Sequence, residues 1–388
     1  MKIFIRLTFI FILGCNTALA NIKGEEGKPL GPFRLFSELG IAFKYDDNIL
    51  RQPDNEMGSA ITVMTPLAKL KRQQRGQVYK LLMRSEMGRY TSSPVDDYDD
   101  WLLLGEADWQ LTRRANLKLS GDYRQEHDAR GTTDRADTST PREWHATALK
   151  GKFNYGRKTA RGRIEAELGH VIRRYENSVL DDTNETQMVA RFVYRTLPRL
   201  RLFFEASHTI TDYQFAASTQ DNKINNYSIG AKWKTSAKTS GLLKVGYLKK
   251  EFTSIEREDF FGVNWELAMR WIAFRGSTIN ISTGKYVNNS TGIGDYISTR
   301  YFAVTWTHLW KPRLSTSVNF YNAQNDFGGN VRQIPRFDDI NKLNFSINYN
   351  WHKWLTLKVG VNLTQRDSTI NSSDFDQIVW FLGIQARF

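Results

Sequence analysis

The strongest constraint on the fold is a repeat of about forty residues, in which each unit holds one tight turn and two long alternating stretches. Tight turns recur near residues 75, 114, 158, 198, 237, 275, 311 and 353. In residues 261–271, as in the other units, apolar side chains occupy every second position. Because successive side chains of a strand point to opposite faces, this pattern predicts strands. Their length of about ten residues is typical of tilted transmembrane strands and exceeds that of propeller-blade strands.

The two faces of these stretches differ throughout the chain. One face is apolar and rich in the 11 Trp, 16 Tyr and 23 Phe, whereas the other carries Asn, Ser, Thr, Lys, Arg and Glu. A lipid exterior around a wet interior accounts for both faces. We therefore predict an all-β fold, a transmembrane antiparallel up-and-down β-barrel of about 18 strands over residues 33–388 with a water-filled lumen, and a secreted β-sandwich or β-helix is the alternative. Six tryptophans at predicted strand ends are expected to form interfacial girdles: Trp144, Trp233, Trp271, Trp310, Trp351 and Trp354.

The N-terminus has the pattern of a secretory leader. Lys2 and Arg6 flank the start of an apolar run, and a small-x-small sequence follows it, so residues 1–20 are predicted to be a signal peptide. Cys15 leaves lipoprotein processing as an alternative. Residues 21–32 are then a short periplasmic N-terminal tail, and an even strand number leaves both chain ends in the periplasm. The predicted location is the outer membrane of a Gram-negative cell, where no binding to nucleic acid is expected.

The predicted lumen wall is basic, in keeping with 54 Lys and Arg against 41 Asp and Glu in the chain. Alternation and turn positions place these basic residues on it: Lys150, Lys152, Arg161, Arg163, Arg191, Arg195, Arg199, Arg201, Lys232 and Lys234. Such a wall favours anions, and the alternative is that luminal Arg and Glu side chains brace the barrel by pairing. The last third of the wall is neutral and suits hydroxyl-rich solutes: Asn319, Asn344, Ser346, Asn348 and Asn362.

Acidic pairs occur in the longer predicted loops, which face the cell exterior: Asp46-Asp47, Asp96-Asp97, Asp99-Asp100, Asp181-Asp182 and Asp338-Asp339. With the basic wall they form a hypothetical acidic outer rim that admits an anion from the periplasm and disfavours its return. The alternative is that these loops bridge lipopolysaccharide through divalent cations. Outer-membrane lipids and lipopolysaccharide are therefore expected partners.

No arrangement of residues indicates catalysis, and we predict no enzyme activity, no cofactor and no metal site. His127-Asp128 lies beside acidic loops, as in omptin-like proteases, but those barrels are far smaller. After removal of the predicted leader the chain has no cysteine, and its six histidines are scattered. The acidic pairs lack the spacing of an EF-hand.

The first predicted loop begins Tyr45-Asp46-Asp47-Asn48-Ile49-Leu50-Arg51. With the hairpin spacing and the aromatic strand ends, this segment resembles the putative β-barrel porin 2 family over the whole mature chain. The resemblance implies an outer-membrane barrel that exports an exopolysaccharide, a periplasmic polysaccharide-export protein as partner, and no catalytic residues. On physical grounds, Asp46, Asp47 and Asn48 are expected to form an Asx-type turn rather than a ligand site. Gly383 and Phe388 resemble the assembly signal of bacterial outer-membrane barrels, which implies contact with the barrel assembly machinery.

The function expected from these observations is an outer-membrane conduit for secretion of an exopolysaccharide, with an anionic polymer as substrate. A general or sugar-specific diffusion porin without a dedicated polymer is the first alternative. A surface receptor or adhesin that presents residues 125–142 and 325–339 is the second alternative, and it predicts a lumen filled with packed side chains.

Overall fold

The computed structural model describes residues 27–134, 139–157, 159–176, 178–234, 236–290, 292, 294–329 and 335–388, and the predicted signal peptide lies outside them. The described residues form these strands: β1 (Lys28–Leu30), β2 (Phe33–Asp46), β3 (Ser59–Gln74), β4 (Gln77–Tyr90), β5 (Tyr98–Gln110), β6 (Ala115–Asp128), β7 (Arg142–Tyr155), β8 (Gly162–Tyr175), β9 (Thr183–Leu197), β10 (Leu200–Tyr213), β11 (Asn222–Trp233), β12 (Thr239–Phe252), β13 (Phe260–Phe274), β14 (Ser277–Asn289), β15 (Tyr296–Lys311), β16 (Leu314–Gly328), β17 (Arg336–His352), β18 (Leu355–Ser368) and β19 (Phe375–Arg387). Among the same residues, no helix is long and apolar enough to cross a membrane.

Strands β2 to β19 close into a barrel. Each strand pairs antiparallel with the next one along the chain, and β19 returns to β2, with Val379 opposite Asp46 and Arg387 opposite Glu38. The predicted fold is therefore confirmed as a closed antiparallel barrel of 18 strands. The three-residue strand β1 pairs with the start of β2 and lies within the segment predicted as a periplasmic tail.

Short turns and longer loops alternate around the barrel, so that all the short turns lie at one end. Several of these turns have only two residues, such as Arg75-Gly76 between β3 and β4. Both residues of this turn have positive φ, 46° and 82°, as a type I′ hairpin turn requires. In outer-membrane barrels short turns face the periplasm and longer loops face the exterior. We call the two ends of the barrel periplasmic and extracellular accordingly.

The outer face of the barrel is apolar. Alternate residues along the strands expose large hydrophobic side chains on this face, among them Phe43, Leu168, Phe204, Ile229 and Leu382. Soluble proteins rarely expose contiguous apolar surface of this extent, whereas a lipid environment requires it. The alternation predicted from sequence thus separates a lipid-facing exterior from a polar interior.

Tryptophans mark the periplasmic end of the outer face. Four are exposed there, as an interfacial girdle requires: Trp271, Trp310, Trp351 and Trp354. Trp233 is half-buried at the same end. The girdle prediction is wrong for Trp144, which is 1% exposed and donates its indole N–H to Asp128 at 3.2 Å, under the guanidinium of Arg173. It faces inward because it shares the parity of the luminal Lys152 on β7.

Candidate functional site

The periplasmic half of the lumen contains a cavity of about 1440 Å³. Inward-facing side chains of β4 to β15 and the turns after β5 and β7 form its wall. Its described lining includes twice as many basic as acidic side chains: Arg113, Arg114, Lys150, Lys152, Arg157, Arg163, Arg191, Lys232, Lys244 and Arg270 against Asp108, Glu165, Glu167, Glu205 and Glu266. Low-dielectric walls focus the electric field of such charges into a pore.

Most of these charges belong to a continuous chain of ion pairs along the wall, which we call the charge ladder: Lys150, Lys152, Arg163, Glu165, Glu167, Arg191, Glu205, Lys244 and Glu266. Glu165 is central and 4% exposed, and its carboxylate contacts the Lys152 ammonium at 3.4 Å, Arg191 Nη1 at 2.9 Å and the Arg163 guanidinium. Glu165 thus holds three cations, which braces the wall.

The charge ladder extends from Glu165 in both directions. Glu167 contacts Lys150 Nζ at 2.8 Å and also binds Lys152 on the side of β7. Glu205 binds Arg191 on the other side and contacts Lys244 Nζ at 3.5 Å. Lys244 Nζ in turn lies 3.5 Å from Glu266 on β13. The glutamates brace the wall by pairing with cations, and the cations outnumber them. Both the bracing role and the preference for anions that the sequence suggested therefore have a physical basis.

The basic residues assigned to the lumen from sequence fall into three groups. Five line the cavity: Lys150, Lys152, Arg163, Arg191 and Lys232. Arg195 and Arg201 face each other across β9 and β10 in a small recess next to the periplasmic turns. Arg161, Arg199 and Lys234 lie in those turns and are exposed there. These three residues lie outside the lumen wall on which they were expected. The reason is that the strands are one or two residues shorter at this end than the alternation indicates.

Phe203 is a luminal side chain that sequence reasoning missed. It is buried among the charges of the cavity wall, and the Lys232 ammonium and the Arg191 guanidinium lie 5.2 Å and 5.5 Å from its ring centroid. Gly230 lies against the ring, since a Cβ there would approach the ring to 2.3 Å. Lys232 forms no ion pair with a carboxylate in the described part of the chain. The sequence signal was the run Leu202-Phe203-Phe204, which interrupts the alternation.

The neutral part of the wall lies on β15 to β18. The Asn319 amide donates to Thr305 Oγ1 at 2.7 Å, and the Asn344 amide donates to Asn319 Oδ1 at 3.3 Å. Asn362 stands opposite Asn344 in the β17–β18 register. The remaining members predicted from sequence continue the same inward row on β17: Ser346 and Asn348.

The loop between β6 and β7 is fixed at both of its ends by ion pairs to neighbouring hairpins. At one end Arg130 Nε donates to Asp96 Oδ1 at 2.8 Å, and at the other end the Arg142 guanidinium binds Asp181. The two neighbouring loops share one pattern, Arg-Tyr followed six residues later by Asp-Asp, at residues 89–97 and 174–182. This internal repeat is visible in the sequence. The sequence does not show that its two copies hold the two ends of the loop between β6 and β7.

The described part of this loop reaches the opposite wall of the barrel. Ser290 Oγ and the Gly292 amide both donate to Asp134 Oδ2, at 2.9 Å and 3.0 Å. Arg336 Nη1 donates to the Asp134 carbonyl at 2.8 Å. The connection between β14 and β15, which carries Ser290, lies eight strands away in a ring of 18. The described part of this loop, residues 129–134 and 139–141, is here called the crossing loop. Its residues 129–134 therefore reach over the extracellular mouth of the lumen.

Two further arginines hold the backbone of the crossing loop. Arg51 Nη1 donates to the Arg130 carbonyl at 2.8 Å, and Arg366 Nη1 donates to the Gly131 carbonyl at 3.1 Å. Gly131 has a φ of 69°, and a Cβ at this position would lie 2.8 Å from the Cβ of Arg51. Glycine is therefore required where the first loop and the crossing loop touch.

The acidic pairs of the extracellular loops are engaged in structural contacts. The second aspartate of two pairs closes its hairpin, since Asp97 Oδ1 and Asp182 Oδ1 accept the amides of Tyr90 and Tyr175, each at 2.7 Å. The first aspartate of each of these pairs binds Arg130 or Arg142, as described above. Asp338 likewise contacts Arg336 at 2.8 Å. Asp96, Asp181 and Asp338 are thus each paired with an arginine, so the hypothesis of an acidic outer rim is wrong for these three carboxylates.

The segment from Tyr45 to Arg51 closes the barrel at the seam between β2 and β19. The Asn48 amide N–H donates to Asp46 Oδ1 at 3.0 Å, which is the Asx turn expected from sequence. The Gln377 side chain of β19 donates to both Asp46 carboxylate oxygens, at 2.9 Å and 2.8 Å, and the Ile378 amide donates to Asp47 Oδ1 at 2.7 Å. These contacts give the motif a structural role.

Asn48 is 0% exposed, and its side chain makes three further bonds. Its amide donates to the carbonyls of Gln52 and Asp376, at 2.8 Å and 2.9 Å, and its Oδ1 accepts the Gln52 amide N–H at 3.2 Å. Tyr45 points to the exterior and Arg51 to the crossing loop. The two residues that resemble an assembly signal lie on the same seam: Gly383 opposite Ala42, and Phe388, whose amide donates to the Ser37 carbonyl at 2.8 Å.

In the described ranges, no group of three or more His, Cys, Asp or Glu side chains is placed to hold a metal ion. The chemistry that the site offers is charge, hydrogen bonding and steric selection. A closed 18-strand barrel with an apolar exterior, a charged lumen and a loop across its mouth is a porin-like outer-membrane β-barrel.

The chain belongs to the family described as Putative beta-barrel porin 2, whose model matches residues 24–388. This confirms the family resemblance seen in the first loop, although the match carries no link to exopolysaccharide export. The search of curated proteins found no match to this chain.

Solved structures of similar fold include three from Pseudomonas aeruginosa. OpdK with vanillate is 11% identical at a TM-score of 0.52, over 91% of this chain and 99% of that one. OpdL is 11% identical at a TM-score of 0.52, over 92% of this chain and 100% of that one. OccK2 (OpdF) in complex with glucuronate is 10% identical at a TM-score of 0.52, over 91% of this chain and 98% of that one. At such identities the likeness shows the fold.

Proposed function

We propose that the protein is an outer-membrane diffusion porin for small hydrophilic solutes, and that the crossing loop limits the size of what passes. The observation that carries this proposal is the bond from Ser290 to Asp134 across the extracellular mouth. A loop fixed to opposite walls divides the opening, so a solute has to pass beside it. Small sugars and organic acids are compatible with a divided opening, whereas a bulky polymer is not.

The charge of the cavity supports a preference for anions among these solutes. Its basic side chains outnumber its acidic ones two to one, and the field of the excess cations acts on any solute that enters. The glutamates of the charge ladder keep the cations apart and fixed, so that the wall stays wide. The neutral row on β15 to β18 offers amides and hydroxyls to uncharged parts of the same solute.

Export of an exopolysaccharide with a periplasmic export protein is the second candidate, because the family resemblance implies it and the neutral row suits a hydroxyl-rich chain. It requires the crossing loop to leave the mouth, which breaks the bonds from Arg51, Arg336 and Arg366. A receptor or adhesin is disfavoured, since a cavity of about 1440 Å³ remains in the lumen.

Solute uptake into liposomes that contain the purified barrel tests the proposal. We expect liposome swelling with monosaccharides to be fast and swelling with trisaccharides to be strongly slowed. Equal rates for both, or passage of a long dextran, would contradict a size limit set by the crossing loop. Deletion of the gene separates the two candidates, because loss of extracellular polysaccharide with periplasmic accumulation would support export.

A further inference from the structure

The cavity wall has two chemically different sectors that open onto the same space. The basic sector on β7 to β12 includes Lys152, Arg191 and Lys232. The wall continues onto β14 and β15, where Asn280, Ser282 and Thr305 line it without charge. A solute in this cavity therefore meets cations on one side and amides and hydroxyls on the other.

Lys232 differs from the cations of the charge ladder. Lys152, Arg191 and Lys244 each bind one or more ladder glutamates, whereas the described contact of the Lys232 ammonium is with the Phe203 ring at 5.2 Å. A cation–π contact favours an ammonium position over the ring face and leaves the N–H donors that point away from the ring available. Lys232 thus presents to the cavity an ammonium group that forms no ion pair with the described wall carboxylates.

The neutral sector lies within reach of a small molecule bound at Lys232. Strands β11 and β14 are three strand spacings apart, ~14 Å along the wall. An inward-pointing lysine and an extended six-carbon acid bridge this separation. The Thr305 hydroxyl accepts one bond from Asn319 and keeps its own hydrogen for a solute oxygen, and the Asn280 side chain is exposed to the lumen.

We propose that Lys232 and the neutral sector of Asn280, Ser282 and Thr305 form a binding subsite for small hydroxylated carboxylates of the sugar-acid class. The carboxylate pairs with the Lys232 ammonium, and the hydroxyls exchange hydrogen bonds with the neutral sector. The proposal rests on the proposed porin function, because the solute has to enter the lumen. Binding in a porin has to be weak enough for release, and a single ammonium in a wet lumen meets this requirement.

Current block in planar bilayers tests the subsite with three probes. Gluconate has both the carboxylate and the hydroxyls, sorbitol replaces the carboxylate by a hydroxymethyl group, and hexanoate lacks the hydroxyls. We expect gluconate to block the KCl current at the lowest concentration. Lys232→Gln should raise the half-blocking concentration of gluconate about fivefold. Lys238→Gln, the same change in an exposed periplasmic turn, should leave it unchanged.

The outcomes separate the subsite from the porin function. If sorbitol does not permeate liposomes that contain the barrel, the porin proposal fails. If sorbitol permeates but gluconate blocks no better than sorbitol or hexanoate, the subsite is overturned and the porin stands. Equal effects of Lys232→Gln and Lys238→Gln on the half-blocking concentration would also overturn the subsite. Such a result would show that only the overall positive charge of the barrel matters, and not the position of Lys232. Heat-modifiable migration of both variants on a gel establishes that they are folded.

Discussion

Asp134 and Ser290 are 156 residues apart in the chain, yet Ser290 Oγ donates to Asp134 Oδ2 at 2.9 Å. The bond joins connections on nearly opposite sides of the barrel. Because Arg130 and Arg142 fix the two ends of the crossing loop to Asp96 and Asp181, the loop is held at its base and at its far contact. The extracellular mouth is therefore narrowed by a fixed segment.

Asp134→Ala should widen the mouth. The substitution removes the acceptor for Ser290 Oγ and the Gly292 amide, and hydrogen bonds to a carboxylate contribute about 1.5–3 kcal/mol each. We expect a higher single-channel conductance and faster liposome swelling with trisaccharides. Asp54→Ala, the same change in another extracellular loop, is the control. Unchanged conductance in the Asp134 variant would show that the tether does not limit the pore.

Glu165→Gln should destabilise the barrel and increase its preference for anions. The change leaves Lys152, Arg163 and Arg191 without their shared partner, and removing one member of a buried ion-pair network costs about 3–5 kcal/mol. The measurements are the temperature at which the barrel loses its compact gel migration and the reversal potential in a KCl gradient. Glu266→Gln changes the more exposed end of the charge ladder, and it should shift both this temperature and the reversal potential by less. A variant as stable as the wild type would show that the ladder does not brace the wall.

Asn48→Ala should weaken the seam between β2 and β19. It leaves the carbonyls of Gln52 and Asp376 without their amide donor in a fully buried place, with a loss of about 2–4 kcal/mol in the free energy of unfolding. Urea titration of the barrel in lipid vesicles measures this loss. Asn348→Ala, which removes a side chain on the lumen wall, is the matched control. Equal midpoints for the two variants would argue against a structural role for the first loop.

Removal of Phe388 should reduce the amount of folded barrel in the outer membrane. Its amide donates to the Ser37 carbonyl at the periplasmic end of the seam, and its ring is exposed on the outer face, where an assembly factor can contact it. Phe388→Tyr should preserve assembly because the ring and the backbone bond remain. Folding of the purified chains in vesicles distinguishes recognition from stability. If cells assemble the shortened chain normally, the assembly-signal interpretation is wrong.

The fold was predictable because alternation is a local property. Every second residue of β13, from Phe261 to Trp271, is apolar, and the lipid requires this of each strand separately. Even the strand number followed from the turn spacing. Trp144 was misplaced because position at a strand end indicates depth in the membrane, whereas the parity along β7 decides the face.

The candidate site was predictable only in part. Parity placed Lys152, Arg163 and Arg191 on the lumen wall, but pairing between strands decides which carboxylate each of them contacts. The acidic loops were visible as Asp-Asp pairs, and yet their composition gave no sign that arginines from neighbouring loops bind them. Phe203 broke the alternation and was missed for that reason.

The sequence by itself determined an 18-strand transmembrane barrel with an apolar exterior and a basic interior, since side-chain period and turn spacing are fixed within each hairpin. Only the tertiary structure decided that Asp134 meets Ser290 and that Lys232 lies against Phe203 beside the charge ladder. These contacts join residues on different strands or on opposite walls, and barrel closure alone brings opposite walls within reach. Whether the mouth is open or divided therefore depends on the closed barrel, because the contact that divides it joins residues of different hairpins.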